Sequence, residues 1–87
     1  MDPLAEMHLL LREHGWEPKH ELLDGVDNVW FWTLTGHPFV IMTYRDDAGP
    51  VGWAEYKGRD GYPSGEAIRD GHVEELSALL QALANSK

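Results

Sequence analysis

Histidines and acids are the side chains in this 87-residue sequence best suited to metal or proton chemistry. His8, His14 and His20 lie within twelve residues of one another, with Glu17 and Glu21 interleaved. A zinc site needs three or four converging ligands, usually at paired-ligand or HExxH spacings, and the sequence has neither. His8 and His14 are six residues apart, so they point in different directions from a helix. We interpret the histidines as surface residues and expect no metal or cofactor.

The sequence supports nucleophilic or hydrolytic catalysis no better than it supports a metal site. The chain has no cysteine, and none of its three serines stands in the strand-to-helix context of a nucleophile elbow. The adjacent carboxylate pairs at 46–47 and 74–75 fall in a turn and at a helix start, where acids are favoured for structural reasons. We therefore expect a protein that is not an enzyme.

A glycine-rich segment from 57 to 65 is the strongest local signal for anion binding. Arg45, Lys57, Arg59 and Arg69 give this region four of the seven basic residues, so it could hold an anion or an acidic side chain of a partner. The order of its residues matches neither a P-loop nor a dinucleotide-binding fingerprint. The alternative interpretation is an ordinary connection between a strand and a helix.

The first element that must position these residues is an N-terminal helix. Asp2 followed by proline is a helix start, and apolar residues then recur at helical spacing. Gly15 is suited to the left-handed residue that ends a helix, and Trp16 would then fold back onto Leu11. The pattern predicts a helix over 3–14.

Beyond this helix the hydrophobic period changes to two. Aromatic and β-branched residues form three segments separated by turn residues: 29–34, 39–44 and 51–56. Such short turns make neighbouring strands antiparallel, and a fourth short strand is possible at 20–23. We expect a loop at 57–70 and a second helix at 71–84. The prediction is a single α+β domain over 1–87: helix, three-stranded antiparallel meander, helix.

This order of elements resembles that of double-stranded-RNA-binding domains. In that family the second helix opens with lysines that contact phosphates, but the matching stretch here carries Glu66, Asp70, Glu74 and Glu75. RNA binding by that mode is therefore not expected.

The predicted sheet is apolar on both faces. If the first hairpin turns at 36–37, Trp30 and Trp32 lie on one face, and a four-residue second turn adds Tyr56 to it. Tyr44 and Trp53 then lie on the other face. A sheet covered on one side only should alternate apolar and polar residues, so an uncovered aromatic patch would mark a contact site. The alternatives are helices that bury both faces and a symmetric homodimer through the patch.

The net charge of -8, from 15 acids and 7 bases, excludes some partners. Such a chain repels nucleic acids and anionic lipid surfaces, whereas a basic protein surface would attract it. No apolar run approaches the ~20 residues needed to cross a bilayer, and no secretory signal is visible. Together with the absence of cysteine, this predicts a cytoplasmic protein.

The leading hypothesis is a non-enzymatic protein-binding domain that docks through the aromatic sheet face or edge and an acidic rim. The carboxylates expected to form that rim are Glu13, Glu17, Glu21, Asp24 and Asp27. Size and charge are similar to those of phage-type inhibitors, including anti-CRISPR proteins, and of immunity proteins or antitoxins, which would imply occlusion of a basic functional surface. Two alternatives are a small-ligand or enzymatic pocket at the 57–70 loop, lined by Trp53, Tyr56 and Tyr62, and a self-associating homodimer.

Overall fold

The chain folds as two helices packed on one five-stranded antiparallel sheet. The structure is a computed structural model that describes residues 2–23, 26–46 and 49–85. Its elements are α1 (Pro3–Glu13), β1 (Glu17–Leu23), β2 (Val26–Thr33), β3 (Phe39–Asp46), β4 (Val51–Arg59), β5 (Tyr62–Gly71) and α2 (Val73–Asn85). Each strand pairs with its neighbours in sequence, in the order β1-β2-β3-β4-β5. Within the described ranges, no helix is long and apolar enough to span a bilayer.

The α+β prediction is confirmed in part. Both helices lie within two residues of their predicted bounds, and the three predicted strands correspond to β2, β3 and β4. The short strand expected at 20–23 is the second half of β1, which begins three residues earlier. The sheet therefore has two strands more than the predicted meander.

The segment predicted as a loop at 57–70 is instead the end of β4 and most of β5. Asp60 and Gly61 both adopt positive φ angles, 55° and 85°. Two successive residues of this kind make the tight hairpin turn whose twist suits paired strands, and Arg59 accordingly pairs with Tyr62. The loop prediction was wrong because the glycines here close a hairpin.

Helix α1 ends by the capping motif that its sequence predicts. Gly15 has a φ of 89°, and its N–H donates to the Arg12 carbonyl at 3.0 Å. The Trp16 N–H donates to the Leu11 carbonyl at 2.9 Å, and both of these side chains are buried in the core. The motif thereby fixes the angle at which the chain enters β1.

The main core lies between the two helices and one face of the sheet. It is built from leucines of both helices, one methionine, and large side chains of the strands: Leu4, Met7, Leu11, Trp16, Trp32, Ile41, Trp53, Leu76, Leu79 and Leu80. Burying each such side chain contributes roughly 1.5–3 kcal/mol, or more for tryptophan. Because the chain has no cysteine, this burial supplies the stabilisation that disulfides provide in many small domains.

The register of the first predicted hairpin is confirmed. Trp32 pairs with Ile41, and Trp30 pairs with Thr43. These four residues point toward the helices, because directly opposed residues in an antiparallel pair share a face.

The predicted second hairpin is out of register by one residue. Arg45 pairs with Val51, so five residues, and not the predicted four, lie between the last paired residues of the two strands. A shift of one residue exchanges the two faces of a strand. Trp53 therefore lies opposite Thr43 on the helix-covered face, and Tyr56 lies on the other face.

A buried carboxylate joins β4 to β5. The Glu55 side chain is only 3% exposed, and the Arg69 Nε lies 2.8 Å from its Oε1. The N–H does not align well enough to count as a hydrogen bond, so charge attraction holds this oxygen. The Arg69 side chain is itself 57% exposed and covers the carboxylate from the solvent side.

The face of the sheet away from the helices is closed by curvature of the sheet itself. Its central side chains are buried although no helix covers them: Val29, Phe31 and Val40. The Gly58 N–H donates to the Pro38 carbonyl at 2.8 Å, which extends the β3–β4 ladder by one pair beyond Phe39 and Lys57. The Tyr62 ring then reaches Phe31, with 6.0 Å between ring centroids. The hairpin of β4 and β5 thus folds back across this second face.

Candidate functional site

The tryptophans predicted to contact a partner lie mostly in the core. Trp32 is 0% exposed and Trp53 is 1% exposed, both beneath the helices, while Trp30 is half-buried beside them. The expectation that Trp32 and Trp53 belong to a docking surface is therefore corrected. Both helices pack on the face of the sheet that carries the tryptophans, and this packing removes that face from solvent.

The opposite face does not form an open aromatic patch either. Tyr44 and Tyr56 are half-buried on it, as partners of Gly52 and Val40 across β3 and β4. The most exposed aromatic residue of the described chain is Tyr62, at 41%, and the Lys19 Nζ lies 3.8 Å from its ring centroid. A lysine over a tyrosine face is an intramolecular cation–π contact, so this ring already has a partner.

Neither edge of the sheet invites the addition of another strand. At the β1 edge, Pro18 lacks an N–H and Lys19 brings a charge. At the β5 edge the pairing shifts between Ser64 and Arg69, where Gly65 has a φ of 74°. Proline, lysine and bulges are the devices by which natural sheets block edge-to-edge pairing. Docking through an edge is therefore disfavoured.

The four basic residues predicted to hold an anion do not converge. Arg45 pairs with the carboxylate of Asp2, and Arg69 pairs with the buried glutamate of β4. Arg45 lies opposite the first residue of β4, six residues before Lys57, which separates the two by about 20 Å along the strand. Lys57 and Arg59 are exposed near the β4–β5 turn. No shared anion site forms among them.

The pocket predicted at the 57–70 segment does not form with the predicted lining. Two clefts include residues of this segment, one with Gly58, Asp60 and Gly61 and the other with Trp53, Arg69 and Asp70. Trp53 is covered by α2, and neither Tyr56 nor Tyr62 lines any of those clefts. His72 lines a different cleft, at the start of α2.

The predicted acidic rim is split. Glu13 ends α1 and Glu17 begins β1, and both are exposed. Glu21 lies further along β1 and Asp27 lies on β2. Asp24 lies outside the described residues.

A second group of carboxylates, which sequence reasoning did not assign to the site, gathers where both helices begin. Glu6 lies in the first turn of α1, Glu74 and Glu75 in the first turn of α2, and Asp70 just before it. All four are exposed. An odd number of antiparallel strands between two helices makes the helices parallel, so both first turns share one end of the molecule. We call these four carboxylates, Glu6, Asp70, Glu74 and Glu75, the acidic end. The odd number of strands, together with acids in both first turns, is the sequence signal that could have identified it.

An apolar groove runs between the helices at the acidic end. Two clefts of about 540 and about 450 Å³ meet there and share three lining residues: Glu6, Val73 and Glu74. The floor of this interhelix groove is formed by apolar side chains of α1, α2 and the start of β4: Pro3, Leu10, Pro50, Val51 and Val73. Ser77 lines its far end, and no lysine or arginine among the described residues lines either cleft.

Comparison of the chain with protein-family models, with curated proteins and with solved structures returns no match. The site must therefore be interpreted from its own chemistry.

A polar cluster beneath α1 is structural rather than reactive. The Trp32 Nε1–H donates to the Thr43 Oγ1 at 2.9 Å, and the His8 Nε2 lies 2.9 Å from the same oxygen. Burial, and next the positive charge of Arg12, lower the pKa of His8 to about 4, so its ring is neutral near pH 7. Trp30 packs on this ring with 4.6 Å between centroids. Because Thr43 is 0% exposed, no substrate can reach its hydroxyl.

The described residues contain no group of three or more histidine, cysteine or acidic side chains placed to hold a metal ion. What the surface does offer is charge beside an apolar groove, an arrangement suited to recognising another macromolecule.

Proposed function

We propose that this chain is a non-enzymatic protein-binding domain that docks its acidic end on a basic surface of a partner protein. The observation that carries the proposal is that Glu6 and Glu74 line the interhelix groove, one from each helix. Asp70 and Glu75 line a separate cleft on the other side of α2 and add to the negative charge of the acidic end. Interfaces commonly combine an apolar centre with a charged or polar rim, and this end has both. By covering a basic functional surface, the domain would act as an inhibitor.

The other surfaces of the domain are less suited to docking a partner, which supports placing the interface at the acidic end. The tryptophan face is buried, the second face is closed by the β4–β5 hairpin, and the two edges carry Pro18 and the shift in pairing at Gly65. The interface proposed from the sequence therefore moves from the sheet to the helices, while the acidic rim is retained with different members.

Electrostatics governs how such a domain would bind. A chain of net charge -8 is drawn to a basic patch over a Debye length of about 8–10 Å at physiological salt, which raises the association rate more than the final affinity. Binding should therefore weaken as salt rises.

The experiment that tests the proposal uses two matched double variants. Glu6→Gln with Glu74→Gln removes two charges from the acidic end, and Glu13→Gln with Glu17→Gln removes two from the opposite end. A partner captured with the wild-type domain from cells of its source is identified, purified and titrated against all three proteins at about 50 and about 500 mM salt. We expect affinity to fall about tenfold or more for the first variant and at high salt, and to change little for the second.

Two results would count against the proposal. Affinity that is insensitive to salt would exclude a charge-based dock, and loss of binding only in the Glu13 and Glu17 variant would place the dock at the other end.

Self-association through the same end is disfavoured by like charge. A two-fold dimer would place Glu6 and Glu74 of one copy against the same carboxylates of the other. Light scattering behind gel filtration should therefore give a monomer at low salt. A salt-independent dimer that the Glu6→Gln and Glu74→Gln variant strengthens would show that copies of the chain meet there.

A further inference from the structure

We propose that the interhelix groove accepts a short amphipathic helix of the partner, with apolar side chains toward the groove and lysine or arginine along its flanks. This rests on the proposed function and deepens it by stating which kind of segment occupies the acidic end.

The walls of the groove determine the backbone form of the occupant. Its two walls are the N-terminal parts of α1 and α2, where the backbone groups beyond the first turn are bonded within the helix and only a few first-turn N–H groups have no intrahelical acceptor. An extended peptide lying here would find at most these few donors, and not the continuous row of donors and acceptors that a sheet edge offers. A helix satisfies its own backbone groups, so only its side chains need to match the groove.

The floor of the groove determines how the occupant's apolar residues are spaced. Pro3 and Leu10 are seven residues apart on α1, which spans about 10 Å, or two helical turns. Val73 faces them from α2 in the part that both clefts share. Two or three apolar side chains spaced i, i+3 or i+4, and i+7 would cover this length.

The rim determines the charge of the occupant. Glu6 stands on the α1 side and Glu74 on the α2 side, and both are exposed. A helix lying between them has a carboxylate on each flank, so basic residues on both sides of its apolar stripe are favoured. Acidic flanks would be repelled.

The test uses a synthetic peptide of about 14 residues with leucines at i, i+4, i+7 and i+11 and lysines on both flanks. A scrambled peptide of the same composition keeps the charge and removes the stripe. Binding is measured by fluorescence anisotropy, and its location by amide chemical shifts of Leu10, Val73 and Ser77. We expect the striped peptide to bind at these residues at least about tenfold more tightly than the scrambled one.

Two variants of α2 localise the binding. Ser77→Trp fills the far end of the groove, whereas Ala78→Trp adds the same side chain to a separate cleft on the other side of α2, beside Trp53. The first should weaken the striped peptide about tenfold or more and the second should not. Because Ser77→Trp could disturb folding, the Glu6→Gln and Glu74→Gln double variant is measured in parallel, with circular dichroism as the check on structure.

The outcomes separate the inference from the function on which it rests. Equal binding of the striped and scrambled peptides, no binding of either, or full binding by Ser77→Trp would overturn the helix-in-groove inference. If a captured partner still depends on Glu6 and Glu74 in those cases, the protein-binding proposal stands. If the partner is indifferent to both carboxylates, that proposal fails as well.

Discussion

Replacing Thr43 with valine should destabilise the fold through a single missing oxygen. Thr43 sits on β3 with no exposed surface, and its hydroxyl accepts the Trp32 indole N–H at 2.9 Å. Valine has nearly the same shape and suits a strand, so Thr43→Val leaves packing and backbone preference almost unchanged. What changes is that a buried donor loses its acceptor.

The magnitude follows from the two partners of that hydroxyl. A buried N–H left unpaired costs about 1–3 kcal/mol, and a methyl group in place of the hydroxyl returns up to about 0.8 kcal/mol. His8 is only half-buried, so its Nε2 can turn to water and adds little. We expect a loss of about 1–2 kcal/mol in the free energy of unfolding, which corresponds to about 4–16 °C in Tm for a domain of this size.

The assay is urea unfolding followed by tryptophan fluorescence, with Thr33→Val as the matched control. Thr33 is half-buried on neighbouring β2 and lies outside this hydrogen-bond cluster. The control should change stability by less than about 0.5 kcal/mol. Equal stability of Thr43→Val and the wild type would refute the structural role given to this hydroxyl.

Three further predictions concern stability. Arg69→Gln leaves the buried Glu55 carboxylate without its cation and should cost about 1–3 kcal/mol, a range reduced because Arg69 is 57% exposed; adding Glu55→Gln should recover part of it in a double-mutant cycle. The pKa of His8 is lowered to about 4, so on acidification the unfolded chain takes up this proton before the folded chain does. The contribution of His8 to the free energy of unfolding should therefore be constant above pH 6.5 and fall by about 1–2 kcal/mol, after allowance for solvent screening, as the pH drops to 4. His8→Gln should flatten this part of the profile. Gly58→Ala would place a methyl group 2.9 Å from a backbone carbonyl oxygen. At Gly52 the nearest atom to such a methyl group is the end of a tyrosine side chain, which can move. Gly58→Ala should therefore lower Tm more than Gly52→Ala.

The elements that the sequence predicts well are those decided by local chemistry. Pro3 begins α1 and Gly15 ends it, because helix boundaries depend on a few adjacent residues. The Asp2 side chain makes no cap hydrogen bond and pairs with Arg45 instead. The period-two segments of β2, β3 and β4 were identifiable for the same reason. Strand β5 lacks that pattern, since most of its side chains are exposed and it contains Pro63 and Gly65. Its strand conformation comes from pairing with β4, and the local signal for that pairing is the Asp60-Gly61 turn, which the prediction assigned to a loop.

The candidate site was harder to predict because it depends on which face the helices cover. The sequence around Trp30, Trp32 and Trp53 is the same whether a helix of the domain or a partner protein covers these side chains. Burial of Glu55 was equally invisible, since a charged residue in a strand ordinarily faces solvent. The acidic end needed only the parity of the strands, and the predicted three-stranded meander already has the odd parity of the observed five-stranded sheet.

The position of α2 at the end of the described chain has a consequence for synthesis. Strands β1 to β5 can pair as soon as each hairpin leaves the ribosome, because every strand pairs with its neighbour in sequence. Until the thirteen residues of α2 have been made and have left the ribosome, the face that carries Trp32 and Trp53 lacks half of its cover. A chain truncated before α2 therefore exposes tryptophans that the finished protein hides, and it should aggregate or be retained by chaperones.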